Sequence, residues 1–187
     1  MIMAYKAFNK DLTCTMGKGT FQYREGEWFE EGEANCRRNG FHCAGNPLDC
    51  LNYYRDVRNA DVYIVLADGD INEDGTDTKI SCTRIRLVKR LAMEEIVMHA
   101  LKYLYEHPRL RMNERVKDGS GKAEDGFAIV RGKRPIASGA LGDVLGMAQE
   151  AEDSCEIEEL AIYKVGEQGI EPGRWYDIHG RKVQEEE

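Results

Sequence analysis

The stretch Val62-Tyr63-Ile64-Val65-Leu66-Ala67 is a continuous apolar run rich in β-branched residues, and it reads as a buried strand. Further on, Ile96, Val97, Ala100, Leu101 and Leu104 recur at helical spacing before Pro108, which predicts a helix over 91–107. Between them an acidic turn, Asp68 to Asp77, leads into Lys79-Ile80-Ser81-Cys82-Thr83-Arg84-Ile85-Arg86-Leu87-Val88. Alternation in that second strand slips between Cys82 and Ile85, which marks a bulge or a twist. A buried strand, a bulged strand and an amphipathic helix in succession point to the α+β class.

Working towards the N-terminus, Asn46-Pro47-Leu48-Asp49-Cys50-Leu51 carries helix-start signals. Asn46 is an N-cap, Pro47 suits the first helical position and Asp49 favours the positive end of the dipole. A short helix over about 47–56 is expected. Tyr5-Lys6-Ala7-Phe8 reads as a strand and Asn9-Lys10-Asp11 as a turn. Phe21-Gln22-Tyr23 and Glu27-Trp28-Phe29 flank Glu25-Gly26 as a hairpin would.

Towards the C-terminus, the polar stretch Asn113 to Gly121 reads as a linker. Beyond it glycine recurs at 119, 121, 126, 132, 139, 142 and 146 between short apolar pieces, a tight-turned β texture with the look of a repeat. Ile157 to Val165 reads as a strand. Trp175-Tyr176-Asp177-Ile178 faces Lys182-Val183 across His179-Gly180 as a hairpin, and Glu185-Glu186-Glu187 as a solvated tail. The expected architecture is therefore α+β: a small N-terminal sheet with one short and one long helix (1–112), followed by a glycine-rich β segment with a C-terminal hairpin (119–187).

Composition limits the function. The chain has 187 residues, of which 42% are hydrophobic and 32% charged, enough apolar surface for a core. With 34 acidic against 26 basic residues the net charge is -8, the opposite of the bias that grips phosphate backbones, so direct nucleic-acid binding is not expected. No apolar run approaches a membrane span. Met1-Ile2-Met3-Ala4-Tyr5-Lys6 has no secretory pattern, so a cytoplasmic location is expected. Six cysteines, at 14, 36, 43, 50, 82 and 155, are then expected as reduced thiols.

The run Tyr5-Lys6-Ala7-Phe8-Asn9-Lys10-Asp11-Leu12-Thr13-Cys14, with Asn39-Gly40-Phe41-His42-Cys43, Asn46-Pro47-Leu48-Asp49 and Tyr53-Tyr54, resembles an uncharacterised family of bacterial, phage and prophage proteins. Gly139-Ala140-Leu141-Gly142 and Ile170-Glu171-Pro172-Gly173-Arg174-Trp175-Tyr176 resemble that family's C-terminal portion. Many relatives carry a glycine- and alanine-rich repeat between the halves, similar to the β-rolls of adhesin heads; here it is reduced to about 119–147. The resemblance implies an architecture and a mobile-element context, and no catalytic residue.

Several constellations could carry chemistry. Cys36, His42, Cys43 and Cys50 are metal-ligand types, but structural zinc sites pair their ligands two to four residues apart, and His42 and Cys43 would point opposite ways on a strand. Asp70, Asn72 and Asp74, with Gly75, match the opening of a calcium loop, whose twelfth position should be Glu and is Ser81. Glu95 and His99 stand four apart on the long helix, without a second histidine. No P-loop, nucleophile elbow or dinucleotide fingerprint is present. Gly40-Phe41-His42, a short helix with Tyr53-Tyr54 and then strand 62–67 loosely resemble the core of ADP-ribosyltransferase-like folds, which implies His42, Tyr53 and Tyr54 as ligand-binding residues for NAD. The reading that fits best is a non-catalytic interaction or assembly module of phage or prophage origin, without a cofactor. It would self-associate as a dimer or trimer through exposed strand edges and engage a protein partner. The competing readings are an NAD- or nucleotide-binding enzyme and an acidic inhibitor of a host factor.

Overall fold

A computed structural model describes residues 1–16, 19–34, 39–54, 57–73, 78–110 and 113–184. Cys36, Asp74, Gly75, the Gly17-Lys18 pair and the tail 185–187 lie outside them. Among the described residues 53% are in strands and 13% in helices, so the chain is mostly β, which corrects the α+β expectation. It forms two compact units, Met1–Ala92 and Met93–Glu187. The long helix belongs to the second unit, and the stretch read as a linker lies inside that unit as a strand.

In the first unit, β1 (Ile2–Asn9) pairs antiparallel with β6 (Ala60–Glu73), and β6 with β7 (Lys79–Arg90). β5 (Phe41–Ala44) pairs with the start of β7 and meets β1 at Tyr5 and Ala44. These pairings close on themselves and make a small barrel. Its interior holds Ala4 and Phe8 from β1, Phe41 and Cys43 from β5, Tyr63, Val65 and Ala67 from β6, and Cys82, Ile85 and Leu87 from β7. Opposite the alternation slip read in β7 the bulge lies in β6, where Gly69 and Asp70 stand against the single residue Thr83. There Gly69 takes φ 74° and the Asp70 amide donates to Thr83 Oγ1 at 2.9 Å.

The aromatic runs at 21–23 and 27–29 do not form the expected hairpin. β2 (Thr13–Met16) pairs with β3 (Gly19–Gln22), while β4 (Trp28–Glu30) joins β7. The cause is packing, because Phe21, Tyr23 and Phe29 meet edge to face around Phe41 instead of pairing across a turn. α1 (Pro47–Leu51) is shorter than predicted and buries Leu48 and Leu51 against β1 and β5. Its N-cap is Asn46, whose Oδ1 accepts from the Leu48 amide at 3.1 Å.

In the second unit, α2 (Met93–Glu106) buries Ile96, Val97, Ala100, Leu101 and Leu104, the stripe its spacing predicted. Behind it, β8 (Val116–Lys122), β9 (Phe127–Ser138) and β10 (Val144–Glu150) run parallel, so that Val116, Ile129 and Gly146 form one row. The chain turns the same corner in successive layers, with Gly119 (φ 69°) stacked on Gly132 (φ 152°). A Cβ at Gly132 would lie 3.2 Å from the Gly119 nitrogen, so the corner needs glycine. β11 (Ile157–Lys164) adds antiparallel to β10, and the hairpin of β12 (Trp175–Asp177) and β13 (Lys182–Val183) adds to the end of β9.

The sequence stretches that misled are polar. β6 runs on past its apolar core through Asp68 to Glu73, and β8 reads Val116-Lys117-Asp118-Gly119-Ser120-Gly121-Lys122. Both are strands because neighbouring backbone pairs with them, a cause that composition does not display.

Candidate functional site

Strand alternation in β1 turns Lys6 inward, between Ala4 and Phe8. Its ammonium donates to the His42 carbonyl at 2.7 Å and stands 5.5 Å from the centroids of both the Phe8 and Tyr23 rings. Lys6 is 8% exposed, an unusual position for a lysine. Around it lie three buried thiols. Cys14 Sγ donates to the Tyr23 hydroxyl at 3.6 Å, and Cys82 Sγ to the Phe41 carbonyl at 3.5 Å. Cys43 hydrogen-bonds Cys82; donating to it raises the Cys43 pKa well above that of a free thiol and lowers that of Cys82. Burial adds to the first shift and opposes the second, and Lys6 favours the thiolate of either. Burial likewise raises Tyr23, with Cys14 contributing.

The outer face of the same strands carries a second group. His42, Ser81 and Asn72 stand side by side across β5, β7 and β6. Burial, then Lys6 and then Lys79, lowers the His42 pKa to about 4, so its imidazole is neutral at pH 7. Ser81 Oγ is buried without a hydrogen-bond partner among the described residues. Beside this row the Lys79 ammonium lies 4.5 Å from the centroid of the exposed Tyr53 ring. Thr78 donates its hydroxyl to Asp49 at 2.6 Å, tying α1 to the start of β7.

The predicted residues are therefore distributed. Lys79 lies over the Tyr53 ring and its charge acts on His42, whereas the Tyr54 hydroxyl donates to the Ala7 carbonyl at 2.7 Å and belongs to the packing of α1 on β1. Burial is what raises the Tyr54 pKa. Asp70 and Asn72 lie on the exposed end of β6, and Asp74 falls outside the described residues. Cys43 faces the barrel interior, while Cys50 on α1 donates to the Tyr5 carbonyl at 3.0 Å, with burial pushing its thiol up to about 12. His99 lies on α2, in the other unit. Among the described residues no group of three or more His, Cys, Asp or Glu could hold a metal ion. Lys6 was missed by the sequence reading. The signal was available, since Lys6 sits between Ala4 and Phe8 on the apolar face of an alternating strand.

Residues 2–99 match the family model of a domain of unknown function, DUF7666. The chain belongs to this family. No curated protein and no solved structure matches it. The DUF7666 match covers the whole barrel, including both groups around Lys6 and Lys79, and the first turns of α2. Among the described residues no helix is long and apolar enough to cross a membrane.

Proposed function

We propose that this DUF7666 protein is a non-catalytic interaction and assembly module that self-associates, as a dimer or trimer, through the sheet edges of its second unit. The observation that carries the reading is a pair of sheet edges. β8 flanks β9 on one side and β11 ends the sheet on the other, and neither has a further partner strand among the described residues. Such edges are templates for another strand. Their net charges differ in sign, Lys117 and Lys122 outweighing Asp118 on β8, and Glu158 and Glu159 outweighing Lys164 on β11. Two like edges would repel, whereas β8 of one copy meeting β11 of another would not. Leu160, 39% exposed on β11, adds apolar surface at the same edge. The resemblance to bacterial, phage and prophage proteins supports a mobile-element origin and a cytoplasmic setting.

Sedimentation velocity over a micromolar concentration series tests the reading. A dimer or trimer is the expected species, and a monomer throughout contradicts it. The competing reading, a nucleotide- or NAD-binding enzyme, draws on Lys79, which lies over the Tyr53 ring and acts electrostatically on His42. It alone predicts a rise in unfolding temperature with NAD, since a ligand that binds the native state stabilises it.

A further inference from the structure

We infer that Cys43 and Cys82 form a two-coordinate site for a soft monovalent metal ion of the copper(I) class, with Lys6 as its buried counter-ion.

The argument begins with the lysine. An ammonium has three donors, and the described residues give Lys6 one acceptor, the His42 carbonyl, together with two aromatic faces. Among the described residues no carboxylate pairs with it. A charge held in an apolar interior calls for an opposite charge beside it. The groups that can supply one here are thiols.

Cys43 and Cys82 are placed to do so together. Phe41 is registered with Cys82 and Cys43 with Ile80, which makes the two cysteines diagonal neighbours on the inner face of β5 and β7. Diagonal neighbours stand about 7–8 Å apart. A disulfide spans about 4.4–6.8 Å between Cα atoms, so an ion between the sulfurs suits this placement better than a direct bond. Two-coordinate thiolate ligation selects a soft ion. Zinc would require four donors, and the described residues hold no cluster of that kind.

The charges balance as well. Each thiol releases one proton to solvent and forms one sulfur–metal bond, with no change of oxidation state. Two thiolates and a monovalent cation carry one net negative charge, which the Lys6 ammonium neutralises. A divalent ion in the same place would leave Lys6 uncompensated. Cys82 is wholly buried and Cys43 nearly so, which keeps water from the ion.

The test is an anaerobic titration of the full chain with Cu(I) against the colorimetric chelator bathocuproine disulfonate, alongside thermal unfolding with Ag(I). The wild type should retain one equivalent of Cu(I), and its unfolding temperature should rise with the first equivalent of Ag(I). Cys43→Ser and Cys82→Ser should each lose the retained equivalent, while Cys155→Ser keeps it. Lys6→Met should weaken binding about ten- to a hundredfold, as loss of an outer partner does at metal sites, with Lys6→Arg restoring it. The inference is overturned if the wild type yields all its Cu(I) to the chelator. It is equally overturned if Ag(I) leaves the unfolding temperature unchanged, a readout that needs no variant to fold. Retention by Cys43→Ser or Cys82→Ser would place the metal on other thiols, and an unchanged affinity in Lys6→Met would remove the counter-ion role.

Discussion

Arg131 illustrates how much of this molecule is decided by single side chains. It lies 3% exposed on β9, donating Nε–H to Glu150 Oε1 at 2.6 Å and its Nη2 hydrogens to the carbonyls of Pro108 and Cys155. Breaking such a pair leaves a buried charge alone, so Glu150→Ala should cost about 3–5 kcal/mol in urea unfolding. The double variant Arg131→Met with Glu150→Leu should recover most of that loss, because neither charge is then stranded. Nothing local in Val130-Arg131-Gly132-Lys133-Arg134 separates the buried arginine from its exposed neighbours. Its partner is 19 residues away, and only the parallel register of β9 and β10 brings them together. His42 gives a second prediction at this scale. Its folded pKa, about 4, lies below the ordinary 6.5, so the unfolded chain binds its proton first as pH falls. The stability it contributes is complete above pH 6.5 and is lost as pH drops towards 4. Partial exposure to solvent trims the effect, and the cationic neighbours Lys6 and Lys79 sustain it. His42→Gln should flatten the pH dependence of unfolding in that window.

Among the elements, the helices were the most legible, since the stripe on α2 and the Asn46-Pro47 start of α1 are local signals. Asn46→Ala should cost about 1 kcal/mol by removing the acceptor of the Leu48 amide. The strands were less legible where they are polar. β8 has the composition of a linker, and it is a strand because β9 lies beside it and Gly119 and Gly132 let the layers turn together. Gly146 shows what the helix asks of the sheet. A Cβ there would collide with Val97 Cγ1 and press on Leu101, since α2 packs directly over β10. Gly146→Ala should therefore destabilise the second unit by about 1–3 kcal/mol, measured by urea unfolding. In the sequence Gly146 reads as one more turn glycine, because the close approach comes from Val97 and Leu101 on a helix far upstream.

For the whole molecule the sequence conveyed sign more clearly than shape. The charge of -8 gives the overall sign, but it does not show that Lys117 and Lys122 edge one side of a sheet and Glu158 and Glu159 the other. Around the candidate site, His42 and Tyr53 entered through a resemblance to NAD-binding folds, and Lys6 escaped notice because it sits in an apolar strand. If opposite edges meet, association weakens as salt rises, since exposed charges are screened. Leu160→Glu should abolish association while leaving the unfolding temperature nearly unchanged, because Leu160 is already exposed. The most direct test is hydrogen exchange on the intact chain at low and high concentration, resolved to individual strands. The account predicts that amides of β8 and β11 gain protection as concentration rises, with the barrel strands unaffected. Edge amides that exchange at the same rate at both concentrations would contradict it.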